Sequence, residues 1–256
     1  MKKIYIFMVR LPTFVNKCSF FFTRFKYSHI SICLDSEFKK FYAFQIKNIK
    51  TPLVGGFMEE NESYFFQAKN ITSLNEIVFE LPVTDEEYTK ISNYITTVKE
   101  DKEYIFNYVS ALFMFLIGGI RVYKSFHCCE FACEVLNNID SIKLPKKTYK
   151  MHPKDLYKLL IKFEHYEKTI NIKDFEFDND NIFFKKIKLK SVIKKSYYTV
   201  TENVIRSILK RPIKNIFKRI VFSKSFLNHP MRSLFNLGVN FFYRYHIKHN
   251  IAPIII

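Results

Sequence analysis

Three of the five cysteines fall within six residues, in Phe126-His127-Cys128-Cys129-Glu130-Phe131-Ala132-Cys133-Glu134-Val135-Leu136. A helical pattern begins at the same point. A thiol in the first turn of a helix meets unpaired backbone N–H groups and the positive end of the helix dipole. Both favour the thiolate, the form that attacks a carbonyl carbon. Cys128 is therefore the candidate nucleophile, and its chemistry needs a base.

A thiolate nucleophile works with an imidazole that takes the proton and later returns it to the leaving group. Of the seven histidines, His152, His165, His229, His246 and His249 fall in loops or in the basic C-terminal segment. His127 neighbours Cys128 in sequence, and adjacent residues of an extended segment point apart. His29 differs: it lies in Tyr27-Ser28-His29-Ile30-Ser31-Ile32-Cys33-Leu34, a short strand pattern where an imidazole is out of place without a partner. Taken singly, Cys128 reads as a small buried hydrophobe and His29 as a hydrogen-bonded structural residue. Taken together they form a candidate nucleophile and base. The cluster His127, Cys128, Cys129 and Cys133 also invites a metal reading, but structural zinc uses two separated ligand pairs and no second pair exists. No metal and no cofactor is expected, and Cys133 reads as a core residue.

The elements that must carry this pair follow from periodicity. Lys3 to Val9 is β-rich. Tyr27 to Leu34 and Lys40 to Lys47 read as a hairpin across Asp35-Ser36-Glu37, with a loop of about four or five residues. Thr51-Pro52 and Gly55-Gly56 punctuate a long turn, and Ser63 to Ala68 and Glu76 to Val83 read as further strands. Leu11 to Arg24 reads as loop with a short helix. Thr84-Asp85-Glu86-Glu87 is a capping box, followed by Tyr88, Ile91, Tyr94, Ile95 and Val98 at helical spacing. Tyr104 to Ile120 is uncharged and near the lower limit for a membrane span; Asn107, Ser110 and Gly118-Gly119 favour a buried core helix instead. The cysteine-rich helix ends at Asn137-Asn138, Lys154 to Phe163 is a short helix, and Glu164 to Ile172 is an extended, solvated edge.

Composition narrows the class. A 48% hydrophobic content over 256 residues excludes a disordered polymer and suffices for a sizeable core. An odd number of crowded cysteines is a poor disulfide framework, which points to a reducing, cytoplasmic setting. Met1-Lys2-Lys3 followed by Ile4 to Val9 is too short for a signal peptide, since the apolar run stops at Arg10. There is no internal repeat, no Gly-rich phosphate loop and no zinc-finger spacing. From Asn181 to Ile256 there are 16 Lys and Arg against one acid, Glu202, so this segment holds +15 of the chain's +17. Its patches Val204 to Leu209, Ile213 to Phe222 and Leu234 to Tyr245 are basic and amphipathic, broken by Pro212 and Pro230. A solvated face, nucleic-acid binding and membrane-surface binding all fit such a segment. Phe235, Phe241, Phe242 and the terminal Ile254-Ile255-Ile256 favour an anionic membrane surface over nucleic acid.

The order Thr23 to Ile32, then Phe41-Tyr42-Ala43-Phe44, then Pro52 to Glu59, then Phe126-His127-Cys128-Cys129-Glu130-Phe131-Ala132 resembles the circularly permuted NlpC-type papain-like cysteine hydrolases. The nearest likeness is to their YiiX/YebB-like branch, with lecithin retinol acyltransferase more distant. The resemblance covers residues 1–170 and includes a strand histidine, a downstream helix opening on Cys-Ser-Glu-Phe, and an aromatic–Asn pair echoed by Phe106-Asn107. Cys129 stands where the family has Ser, Ala132 where it has Val and Cys133 where it has Ala. The resemblance implies an α+β fold in which an antiparallel sheet bearing the base packs on a helix bearing the thiol. By position it gives Cys128 as nucleophile and His29 as base. The orienting third residue would come from the strand after the histidine strand, where Tyr42 and Gln45 are the polar candidates, on opposite faces, and no acid occurs.

The expected organisation is a permuted papain-like hydrolase domain over 1–175 and a basic, mostly helical extension over 181–256. The expected activity is thiol-dependent hydrolysis or acyl transfer at an amide, ester or thioester of a small acyl, peptide or lipid-linked substrate. The setting is the cytoplasm, with peripheral attachment to the inner membrane surface through 181–256. The alternative is a non-catalytic membrane-surface or nucleic-acid binding protein on the same fold, motivated by the missing acid beside His29.

Overall fold

Ile4 to Val9 is buried on both faces, as a central strand must be. This strand, β1 (Lys2–Val9), pairs antiparallel with β2 (His29–Cys33), and β3 (Phe41–Ile46) and β4 (Gly55–Glu60) follow outward. On its other side β1 pairs with β5 (Ser73–Val83). The computed structural model describes residues 2–11, 24–48, 51, 53–66, 72–111, 118–174 and 187–209. Helix α1 (Asp85–Glu100) opens on the expected capping box: Thr84 Oγ1 accepts from Glu87 N–H at 3.1 Å and Glu87 Oε2 accepts from Thr84 N–H at 2.8 Å. Two short strands, β6 (Ile105–Phe106) and β7 (Ser125–Phe126), form a parallel ribbon leading into α2 (Cys128–Leu136). Then come α3 (Pro153–Leu160), β8 (Glu164–Asn171) and α4 (Leu189–Leu209). With β8 at its edge, the sheet runs β4-β3-β2-β1-β5-β8, antiparallel throughout, and the fold is α+β.

The two faces of this sheet do different work. Residues of one parity, including Ile4, Ile6, Met8, Ile30, Ile32, Phe44 and Phe79, pack under α1, α2 and α3 through Ile91, Phe131, Val135 and Leu156. Residues of the other parity include Phe7, Cys33, Phe41 and Val78, a second apolar cluster, and among them sit His29, Ser31, Gln45 and Glu60, all buried. A one-residue slip would exchange the two sets, so the register that builds the core also fixes where the histidine points.

Several elements depart from the sequence expectations. The β2–β3 connection spans residues 34–40, longer than expected. Gly55 and Gly56 are in β4 rather than a turn, because β6 crosses close: a Cβ on Gly55 would lie 2.7 Å from Phe106 Cβ. Ser63 to Ala68 is no strand where described; Glu62–Phe65 is a 3-10 turn whose N–H at Ser63 is capped by the Asn61 side chain at 3.0 Å. The apolar segment 104–120 begins as β6 instead of helix, residues 108–111 are helical, and 112–117 lie outside the described residues. So do most of 11–24 and both basic segments beyond residue 209. No described helix is long and apolar enough to cross a membrane.

Helix α4 is joined to the rest by polar contacts. Arg206 is 3% exposed, and its Nη1 donates to the carbonyls of Glu103 (2.8 Å), Tyr123 (3.2 Å) and Lys124 (3.3 Å). Its guanidinium also pairs with Glu202, and Asn203 Oδ1 accepts from Tyr108 N–H at 3.2 Å. These carbonyls flank the β6/β7 ribbon that leads to Cys128. Arg206→Ala removes the donors and leaves three part-buried carbonyls without them. It is expected to cost about 3 kcal/mol in urea unfolding, with Arg206→Lys recovering part of the loss.

Candidate active site

Helix α2 starts where a side chain can close its first turn. His127 is the N-cap, extended at φ −98° and ψ 169°, and its Nδ1 accepts from Glu130 N–H at 3.3 Å. Cys128 is then the first helical residue. The first intrahelical bond of the turn is Phe131 N–H to His127 O, so the N–H groups of Cys128 and Cys129 are left without intrahelical acceptors beside the thiol. Sγ lies 3.9 Å from the carbonyl of Ser28, the residue before β2. The thiol therefore reaches around the end of β2 to His29, although α2 covers the opposite face of the sheet.

His29 is 4% exposed, and its Nε2 donates to Glu60 Oε1 at 2.8 Å, with Ser31 Oγ 3.2 Å from the same nitrogen. That leaves Nδ1 for the thiol. Glu60, at the end of β4, is held in turn: Ser31 Oγ donates to Oε1 and Gln45 Nε2 donates to Oε2. One buried carboxylate thus accepts from three side chains on β2 and β3. The register explains how it reaches them, since Cys33, Phe41 and Glu60 stand abreast and Ala43 of the intervening strand contributes only a methyl group.

The charge states follow. Burial opposes a charged His29, but the Glu60 carboxylate and the contact with Cys128 outweigh it and raise the imidazole to about 10. Burial also opposes a charged Cys128, but hydrogen-bond contact with the imidazoles of His127 and His29 lowers the thiol to about 6. The other thiols with resolved shifts go the opposite way: burial pushes Cys33 to about 12 and Cys129 well above the ordinary range. Cys128 is thus set apart from its neighbours, as a thiolate facing an imidazolium.

The structure brings Cys128 and His29 together and revises the third position. Tyr42 does not reach the imidazole. It lies on the helix-covered face, opposite Ile32 and Glu59 and stacked on Phe57 at 6.1 Å. Gln45 is on the correct face but holds Glu60 rather than His29. The acid sits one strand further than expected, and parity separates it from Glu59, which pairs with Lys99 at 2.6 Å. His127 is also corrected: as the cap its imidazole turns back to the helix, Nδ1 accepting from Glu130 N–H, with Nε2 buried and unpartnered. Behind it, Glu130 is buried, its Oε2 is 3.9 Å from His127 Nε2 and 3.5 Å from Asn107 Nδ2, and burial raises its carboxyl to about 7. Among the described residues, no group of three or more His, Cys, Asp and Glu could hold a metal ion.

The signs of these shifts set a pH window. The raised imidazole stabilises the fold in full below its ordinary 6.5 and loses that contribution as pH rises through about 10. The lowered thiol contributes in full above its ordinary 9.0 and loses that contribution as pH falls through about 6. Alkylation of Cys128 by iodoacetamide should therefore rise with a midpoint near pH 6. Glu60→Gln removes the counter-charge of His29 and should move that midpoint upward by roughly one pH unit or more, read from rate against pH. Comparison with family models, with curated proteins and with solved structures finds no match.

Proposed function

We propose that this chain is a cysteine hydrolase or acyltransferase of the permuted papain-like kind, acting on an amide, ester or thioester. The observation that carries the reading is the buried relay from Cys128 through His29 to Glu60, with the thiol lowered to about 6. The base strand precedes the nucleophile helix by about a hundred residues, the order a permuted arrangement would have.

In this reading the Cys128 thiolate attacks the substrate carbonyl, and the N–H groups of Cys128 and Cys129 face the oxyanion of the tetrahedral intermediate. The His29 imidazolium gives its Nδ1 proton to the departing amine, alcohol or thiol as the carbon–heteroatom bond breaks, leaving an acyl-thioester on Cys128. His29, now neutral, takes a proton from water or from an acceptor hydroxyl or amine. That nucleophile attacks the thioester, and the thiolate leaves. Glu60 keeps the imidazole in the useful tautomer and balances its charge, the role a buried carboxylate plays in other nucleophile–base–acid triads. The non-catalytic alternative rested on the lack of an acid beside His29, and Glu60 fills that position.

A thiol-directed acylating probe tests the reading. Wild type should form a stoichiometric adduct on Cys128. Cys128→Ala should form none, and His29→Ala should react on the order of 10²–10⁴ times more slowly at neutral pH. Equal labelling of wild type and Cys128→Ala, read by intact mass, would overturn it.

A further inference from the structure

Helix α4 is inverted relative to an ordinary surface helix. The stripe turned inward is polar: Ser196, Thr199, Asn203 and Arg206, spaced three and four apart, are all buried. The outward side carries Ile193 at 43% and Tyr198 at 45% exposure, the two most exposed large hydrophobic residues among those described. Lys190 and Lys194 are exposed on this side, and Lys188 and Lys195 are exposed nearer the phase of Arg206. No acid occurs between Asp180 and Glu202, and no described carboxylate forms an ion pair with any of these four lysines. Beside them, an open groove of ≈ 590 Å³ between the helix and Val54 is lined by Ser191, Lys194, Lys195, Tyr197, Tyr198 and Thr199, and its exposed lining is mostly apolar.

We propose that the outward face of α4 docks on an anionic phospholipid bilayer. A solvated charged face has no use for Ile193 and Tyr198 in the open. A nucleic-acid backbone would use the lysines but gains nothing from Ile193. A bilayer uses both: the lysine stems lie along the interface with their ammonium groups among anionic head groups, while the isoleucine and tyrosine enter the boundary with the acyl chains. Arg206 and Asn203 hold the helix to backbone groups beside the ribbon that leads into α2. The inference does not depend on the hydrolase reading.

Sedimentation of the full chain with vesicles tests it. Wild type should bind phosphatidylcholine vesicles containing phosphatidylserine and not vesicles of phosphatidylcholine alone. Lys190→Glu/Lys194→Glu/Lys195→Glu, all at exposed positions, should weaken that binding by roughly a hundredfold, with thermal melting confirming that the fold is kept. Ile193→Ser/Tyr198→Ser should keep binding at low salt but lose the fraction that survives high salt in wild type. Equal binding to both vesicle types, no binding to either, or triple-variant binding equal to wild type would each overturn the proposal. So would tighter binding of the full chain to a mixed-sequence single-stranded RNA than to the vesicles at the same ionic strength, lost in the triple variant.

Discussion

A histidine and a glutamate buried together between β2 and β4 constrain everything around them. Taking both groups out of water is costly, and the cost is offset only when the geometry is close and the remaining oxygens are satisfied. Here the His29–Glu60 contact is 2.8 Å, and Ser31 and Gln45 supply the other donors. The arrangement requires four strand positions on three adjacent strands to share one face. The antiparallel register must therefore hold without a slip from β2 to β4. A small residue at Ala43 and a glycine at position 55, where β6 crosses, serve that requirement.

The same pair explains why one thiol out of three on a short helix is singled out. Cys128, Cys129 and Cys133 share composition and neighbourhood, yet only Cys128 emerges at the helix start beside two imidazoles. Cys129 and Cys133 turn into the core with Phe131 and Val135. Helix phase separates a lowered thiol from a raised one over a distance of one residue.

How much of this is legible in the sequence depends on how local each cause is. The α1 capping box, the apolar run of β1, the α2 start and the pairing of β2 with β3 rest on neighbouring residues and can be read directly. Cys128 and His29 stand out because their residue types are unusual in their settings. Glu60 does not: beside Glu59 at the end of a Gly-rich strand it looks like surface. Only the register across Phe41 shows that one of the two glutamates turns toward the histidine. His127 reads as turned away from the helix, whereas an N-cap bends its side chain back onto it. Ile105–Phe106 was misread as helix because its partner strand is some twenty residues further on, across a turn that local periodicity does not reveal.

The change in composition near residue 181 suggests a seam where a neutral domain ends and a basic tail begins. The polar stripe of α4 crosses that seam. Charge is distributed along the chain by one rule and folding partners by another: α4 lies in the basic segment and bonds to the neutral one. This wall of the described fold is drawn from the segment that looks most like an appendage. A cut at residue 181 would take Arg206 and Asn203 away from the backbone groups they bond beside the β6/β7 ribbon.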